Sequence, residues 1–437
     1  MKVCFAKFNP HDLLESHVND VINVLKSIKT AFPWLGDIFP EIWKLSFYSA
    51  LIHDIGKCAV GFQKNPKKWG YRHEILSTPF TQFLKIPEEQ RMLVTLAVLT
   101  HHKTIDEIRD IVPTKEHRSE YDEKIDELFE NSDYIEGIFM PKVPFWEAYF
   151  FSTRNPPYLF HFPANWKKKV REFDFWQVVS WYEKYWRDRK VELILLRGLL
   201  NATDHLASAG EISVQVLPSI VETLELKLPR QNWRPKQKEA WRTDGNLILR
   251  APTGYGKTEA ALLWAERNSF RVNNDITSRI FYILPYKASI NAMHSRILSL
   301  FYDPSLVGVL HSTSKFYLYS SALEYKRLSS LYQKIYTPLK VTTPFQIMKS
   351  FFGVGFFEMS FTELIGSLLI FDEIHAYEPN VLGIILAILE ALKDYKTKSL
   401  VMTATLPDFL EKLIKDVLSP KEVNVSDDEV INSRDTE

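Results

Sequence analysis

The sequence predicts a multidomain chain, an all-α N-terminal half followed by an α/β lobe on a mostly parallel sheet. Three observations carry this. The segments RMLVTLAVLTHH and VELILLRGLLNATDHLAS are apolar nearly all round and too long for ordinary strands, the pattern of buried helices. After residue 236 the pattern changes to short apolar runs separated by helical stretches: NLILRAP, RIFYILP, LKVTTP, SLLIFDE and SLVMTATLP. Such alternation gives a parallel sheet covered by helices. Finally APTGYGKT, Ala251 to Thr258, lies between the run NLILR and the helical EAALLWAERN, the strand–loop–helix setting of a phosphate-binding loop.

Bulk properties narrow the function classes. A length of 437 residues allows two or three domains. Formal net charge is zero, so a nucleic-acid partner is not announced globally and requires local basic patches. The two cysteines, Cys4 and Cys58, give neither a disulfide framework nor a thiolate metal site, and a reducing cytoplasm is the expected setting. There is no charged-then-apolar leader and no apolar run of about 18 residues, so no membrane association is expected.

Along the chain, EIWKLSFYSALIHDI places Ile42, Leu45, Ser49 and Ile52 at helical spacing. Residues 103–190 are mixed, rich in aromatics and charge. Within them, NWKKKVREFDFWQ offers Lys167, Lys168 and Lys169 beside Trp166 and Trp176, either as a grip on DNA or as a solvated face over an aromatic core. The second reading is favoured. The expected boundaries are a helical domain over 1–215, a connector over 216–235, the α/β lobe over 236–420, and a disordered polar tail over 421–437.

Five histidines fall within residues 17–102: His17, His53, His73, His101 and His102. A lone histidine on an apolar helix is ordinarily a satisfied core residue, so the conjunction decides. His53–Asp54 follows one apolar helix, His101–His102 ends another, and Asp204 interrupts a third, where a buried carboxylate is costly unless paired or metal-bound. Adjacent helix positions diverge by about 100°, so His53 and Asp54 do not chelate one ion as a pair. Asp54 instead fits between two ions. A carboxylate bridging two metals is the arrangement for phosphodiester hydrolysis, lowering the pKa of a water and stabilising charge on the attacked phosphate. Imidazole with carboxylate suits Mn, Fe, Co or Ni better than Mg alone. Lys57 is either aimed at the scissile phosphate or a solvated helix-end cation.

In the second constellation, Thr253, Gly254 and Gly256 crowd backbone N–H groups around phosphates, Lys257 reaches the β and γ phosphates, and Thr258 binds Mg²⁺. Ala251 takes the place of the usual first glycine. In SLLIFDEIH, Asp372 holds Mg²⁺ and Glu373 orients the attacking water on ATP. Gln237 is placed to read the adenine edge, with Trp233 or Arg234 stacking. TATLP has the form of a loop linking ATP state to strand movement, and His375 communicates within the DEIH box. LPYKASINAMHSRI and VTTPFQIM, at strand ends on the phosphate-loop side, suit a nucleic-acid backbone or are plain loops. His294 and His311 receive no metal role.

These motifs in this order resemble the signature HD nuclease–helicase of type I CRISPR systems. HDIGK, the 101–102 histidine pair and TDHLAS resemble its HD domain. RPKQ, APTGYGKTEAA, LPYKASINAMHSRI, VTTPFQ, DEIHAYEP and TATLP resemble its first RecA-like lobe, of helicase superfamily 2. The resemblance implies ATP-driven 3′ to 5′ tracking along single-stranded DNA after recruitment by the crRNA-guided Cascade complex, with the HD site degrading invader DNA. It implies one metal on His17, His53, Asp54 and Asp204, and a second on Asp54, His73, His101 and His102. Members of that family continue into a second RecA-like lobe. The sequence given ends after the first, so the expectation is ATP binding with weak hydrolysis and no unwinding alone, a second lobe in trans completing the motor. Two other readings remain: an HD-type nucleotide phosphohydrolase fused to an ATPase lobe, and a recruitment module with idle catalytic sites.

Overall fold

The computed structural model describes residues 3–113, 118–314, 318 and 325–425, in two compact units: Met1–Lys29 with Leu35–Ser213, and Thr30–Trp34 with Val214–Glu437.

Among the described residues, the first unit is helical apart from an N-terminal antiparallel hairpin, β1 (Phe5–Phe8) and β2 (His11–Leu13). Three helices form its centre: Ile42–Ile52, Glu88–Thr100 and Lys190–Ser208, each packed on the other two. Ile42–Ile52 buries every residue but Lys44, and Glu88–Thr100 buries everything from Met92 onward. Such helices have no face to offer water, so they fill the interior. The turn after Ile52 continues as a 3-10 helix, Ile55–Cys58, against the short helix His73–Ser77. Gly56 makes that approach possible, because a Cβ there would lie 2.1 Å from the His73 carbonyl oxygen. In the mixed region Trp166 is buried, Lys167 donates to Ser132 Oγ and Lys168 pairs with Glu172 at the surface, as a solvated face over an aromatic core requires, but Trp176 is 41% exposed and lies outside that core.

The second unit is built on seven parallel strands: β3 (Leu247–Arg250), β6 (Ile280–Ile283), β7 (Val307–Leu310), β8 (Leu339–Thr342), β9 (Leu368–Asp372), β10 (Lys398–Thr403) and β11 (Lys421–Asn424). A two-stranded hairpin, β4 (Arg271–Val272) with β5 (Asp275–Ile276), is separate. The main order is β11-β3-β10-β9-β6-β8-β7. Alternate residues face opposite cores. Leu247, Leu249, Tyr282, Ile370 and Met402 meet the helices Lys257–Asn268 and Lys287–Phe301, and Ile248, Ile283, Phe371 and Val401 meet Pro379–Leu392 and Asp408–Leu418. All five apolar runs identified from sequence are strands.

Two boundaries need correction. The 216–235 connector is packed into the lobe: Ser219 caps the helix Ile220–Glu225, and Leu217, Ile220, Val221 and Leu224 lie at helical spacing in its core. The expected tail begins as β11, which pairs with β3 and buries Val423. Its single buried residue gives too weak an alternation to announce a strand. Residues 426–437 of that tail lie outside the described residues.

Candidate functional site

The helical unit brings together all seven residues expected around a metal. His17 comes from the helix Leu14–Ala31, His53 and Asp54 from the end of Ile42–Ile52, His73 from the start of His73–Ser77, His101 and His102 from the end of Glu88–Thr100, and Asp204 from Lys190–Ser208. Donor atoms of His17, His53, Asp54 and Asp204 lie within 4.8 Å of one another, as do those of His73, His101 and His102. Asp54 stands between the sets. Its Oδ2 is 3.4 Å from His17 Nε2 and 3.3 Å from His53 Nε2, and its Oδ1 is 3.1 Å from His73 Nε2.

The imidazoles are oriented by their other nitrogen. His53 Nδ1 donates to the Ala50 carbonyl at 2.8 Å, and His101 Nδ1 to that of Val98 at 2.7 Å. This fixes the tautomer with a bare lone pair on each Nε2, the usual support of a metal-ligating histidine. Nε2 of His53, His73 and His101 and Oδ1 of Asp54 are buried with no well-aligned hydrogen-bond partner, although His53 and His73 stand 3.3 and 3.1 Å from Asp54. Four buried orphans in one place are costly for a protein that binds nothing there, and the donor set fits divalent transition metals. His17 differs: its Nε2 lies 3.0 Å from Asp204 Oδ1, at hydrogen-bond distance. Its Nδ1 faces Asp12 Oδ2 at 3.7 Å, a neighbour from β2 that nothing in the sequence singled out.

Electrostatics follow from this crowding. Burial would raise the Asp54 pKa, but His53 and Lys57 hold it well below the usual carboxylate range. Burial works against charge on His53, yet Asp54 prevails and raises its pKa. Burial, with His53 and His73 nearby, pushes His101 down to about 3, so it is neutral at ordinary pH. Lys57 donates to Asp54 Oδ2 at 2.6 Å and is mostly buried. It is therefore not the solvated helix-end cation, and in this state it is directed at the carboxylate.

In the second unit the phosphate loop follows β3. Gly254 and Gly256 have φ of 84° and 86°, the left-handed region that favours glycine. Gly256 precedes the helix Lys257–Asn268 and directs its N-terminus at the loop. The registers Thr403↔Arg250 and Met402↔Asp372 bring the ends of β3, β10 and β9 level. Lys257 Nζ thus lies 3.1 Å from Glu373 Oε1. Glu373 has φ 51°, a strained conformation for a non-glycine residue. Asp372 accepts from Tyr282 OH at 2.9 Å, a support the sequence did not reveal because Tyr282 reads as an ordinary strand residue. His375 Nδ1 is 2.6 Å from Thr403 Oγ1, tying the DEIH box to TATLP. A pocket of about 410 Å³ is lined by Arg234, Gln237, Thr253 to Thr258, Arg296, Asp372 and Glu373, among others.

Gln237 is buried. Its Oε1 accepts from Arg234 N, and its Nε2 donates to the Gly256 carbonyl, so here it braces the loop. Trp233 is in the core and is not available for stacking, leaving Arg234 at the pocket wall with its guanidinium 5.1 Å from the Tyr255 ring centre. His294 and His311 are satisfied by the Val307 carbonyl and Asn291.

Comparison with known proteins agrees with this architecture. The DEAD/DEAH box helicase family matches residues 234–413. The CRISPR-associated nuclease/helicase Cas3 of Methanothermobacter thermautotrophicus is 24% identical over 448 residues, covering 91% of this chain and 52% of that relative. The CRISPR-associated endonuclease/helicase Cas3 of Escherichia coli is 28% identical over 184 residues, 37% of this chain and 20% of that one. Among solved structures, T. fusca Cas3-ATP superposes with a TM-score of 0.52 at 16% identity, over 94% of this chain and 51% of that one. A second CRISPR-associated protein gives 0.54 at 17%, over 95% and 53%. The chain thus spans about half the length of the first relative, with the same fold. In its motifs and its two-unit fold the chain is similar to the CRISPR-associated nuclease/helicase Cas3 of Methanothermobacter thermautotrophicus over about half the length of that relative.

Proposed function

We propose that the helical unit is a metal-dependent nuclease cutting single-stranded DNA, and that the α/β unit is the ATP-binding lobe of a superfamily 2 helicase, acting in CRISPR interference. The observation carrying this is Asp54 with its two oxygens facing two separate donor sets. His17, His53, Asp54 and Asp204 would hold one divalent ion, Mn, Fe, Co or Ni, and Asp54, His73, His101 and His102 a second. When bound, such a pair activates water and stabilises charge on the scissile phosphate. The protein's own part is to hold neutral Nε2 lone pairs in place and keep Asp54 ionised. With cations on Asp54, Lys57 would no longer be needed by that carboxylate and could meet the phosphate of the substrate.

In the lobe, Thr253, Gly254, Gly256 and Lys257 cradle the phosphates of ATP, Thr258 and Asp372 hold Mg²⁺, and Glu373 orients water, with Gln237 closing the adenine side. The crRNA-guided Cascade complex delivers the strand, and a second helicase lobe completes the motor. The nuclease reading is tested with circular single-stranded DNA and with dNTPs, each with Mn²⁺, comparing wild type and Asp54→Ala. Cleavage of the circle by wild type, lost in the variant, is expected. Hydrolysis of dNTPs with the circle intact would make the protein a nucleotide phosphohydrolase.

A further inference from the structure

The registered pair Ile283↔Thr342 sets the ends of β6 and β8 side by side. Three residues beyond each, Tyr286 and Phe345 emerge with 60% and 54% of their surface exposed. The helix Pro344–Met348 continues through backbone bonds from Lys349 to Phe345 and from Phe352 to Met348. Phe345, Lys349 and Phe352 therefore follow one another at i, i+4 and i+7 along one side. Phe352 is 64% exposed, whereas Ile347 and Phe351, which point away from that side, pack into or against the core. Exposed phenylalanines grouped on one face are informative where a scattered one is not.

Charge identifies what this face recognises. Residues 284–297 and 342–357 contain no aspartate or glutamate, in a chain with 54 acidic residues, while Lys287 and Lys349 are exposed on these same segments. Exposed aromatic rings and lysines on segments that carry no carboxylate suit unpaired bases with their phosphates. We propose that Tyr286, Phe345 and Phe352 form a stacking platform for the bases of a single strand, with Lys287 and Lys349 meeting its phosphates. This rests on the reading that the lobe engages single-stranded DNA and goes beyond the backbone contacts expected at these strand ends.

The test is fluorescence anisotropy of the full chain in EDTA, with labelled oligo-dT and an abasic oligonucleotide of equal length. Wild type should bind oligo-dT at least about 10-fold more tightly. Phe345→Ala/Phe352→Ala should lose that preference while keeping its affinity for the abasic strand, and Phe345→Trp/Phe352→Trp should retain it. Equal binding of both strands by wild type would overturn the platform and leave backbone binding intact. A preference that survives in the alanine variant, as for a face serving a protein partner, would also overturn it, as would loss of abasic binding in that variant. Failure to bind either strand would remove the underlying reading as well.

Discussion

At the Nε2 atoms of His53, His73 and His101, the protein has arranged acceptors that nothing within it satisfies. For His101 and His53 the consequence is measurable as a dependence of stability on pH. His101 is held down to about 3, against about 6.5 in an unfolded chain. Between those values the unfolded state takes up a proton and the folded state does not. Metal-free protein should therefore lose stability as pH falls from about 6.5 toward 3, by at most about 1.4 kcal/mol per unit from this residue. Urea midpoints against pH should show the decline, with a flatter profile for His101→Leu. His53 acts with the opposite sign: its pKa is raised, so its contribution is full below about 6.5 and fades as pH rises through its folded value. Lys57 gives a second prediction. Lys57→Met leaves Asp54 without its ammonium partner and should cost about 3 kcal/mol in EDTA. Much of that loss should return with Mn²⁺, measured as the shift in urea midpoint. A loss unaffected by Mn²⁺ would show that Lys57 only braces the turn.

At the scale of elements, the site depends on how closely one turn approaches another. Gly56 lets Ile55–Cys58 lie against His73–Ser77, and its N–H donates to Ser77 Oγ at 2.8 Å. Gly56→Ala puts a Cβ against backbone that cannot yield cheaply. It should cost about 1–3 kcal/mol and separate Asp54 from His73, read as a lower melting temperature and weaker binding of one metal. In the phosphate loop, Gly256→Ala combines positive φ with a Cβ 2.3 Å from Gln237 Nε2, and nucleotide binding should fall at least about 10-fold in a titration with fluorescent ATP. The elements were unequally legible. Ile42–Ile52 and Glu88–Thr100 announced themselves because neither has a polar face. β7 and β11 did not: VGVL carries a glycine that weakens the strand pattern, and KEVN buries a single residue. Ile220–Glu225 reads as a connector because flanking prolines obscure its helical spacing.

For the whole molecule, legibility in the sequence depended on distance along the chain. The phosphate loop and DEIH box are contiguous strings whose chemistry reads locally. His17 and Asp204, 187 positions apart and 3.0 Å apart in space, belong to one candidate site by the conjunction of histidines and a buried carboxylate, but only the family resemblance assigns them to the same ion. The supports Asp12 and Tyr282 carried no motif at all. The motor reading predicts that a polypeptide of these 437 residues binds ATP but turns it over on the order of 10³-fold more slowly than when a second lobe supplies its arginine. DNA-stimulated turnover at full rate by this polypeptide alone, in a phosphate-release assay, would refute that. The central claim is that one carboxylate joins two metal positions, and metal stoichiometry tests it most directly. Equilibrium dialysis with Mn²⁺ and elemental analysis should give two ions per chain for wild type, one each for His17→Ala and His101→Ala, and none held tightly by Asp54→Ala. Wild-type protein that retains no metal, or an Asp54→Ala variant that retains two ions, would contradict it.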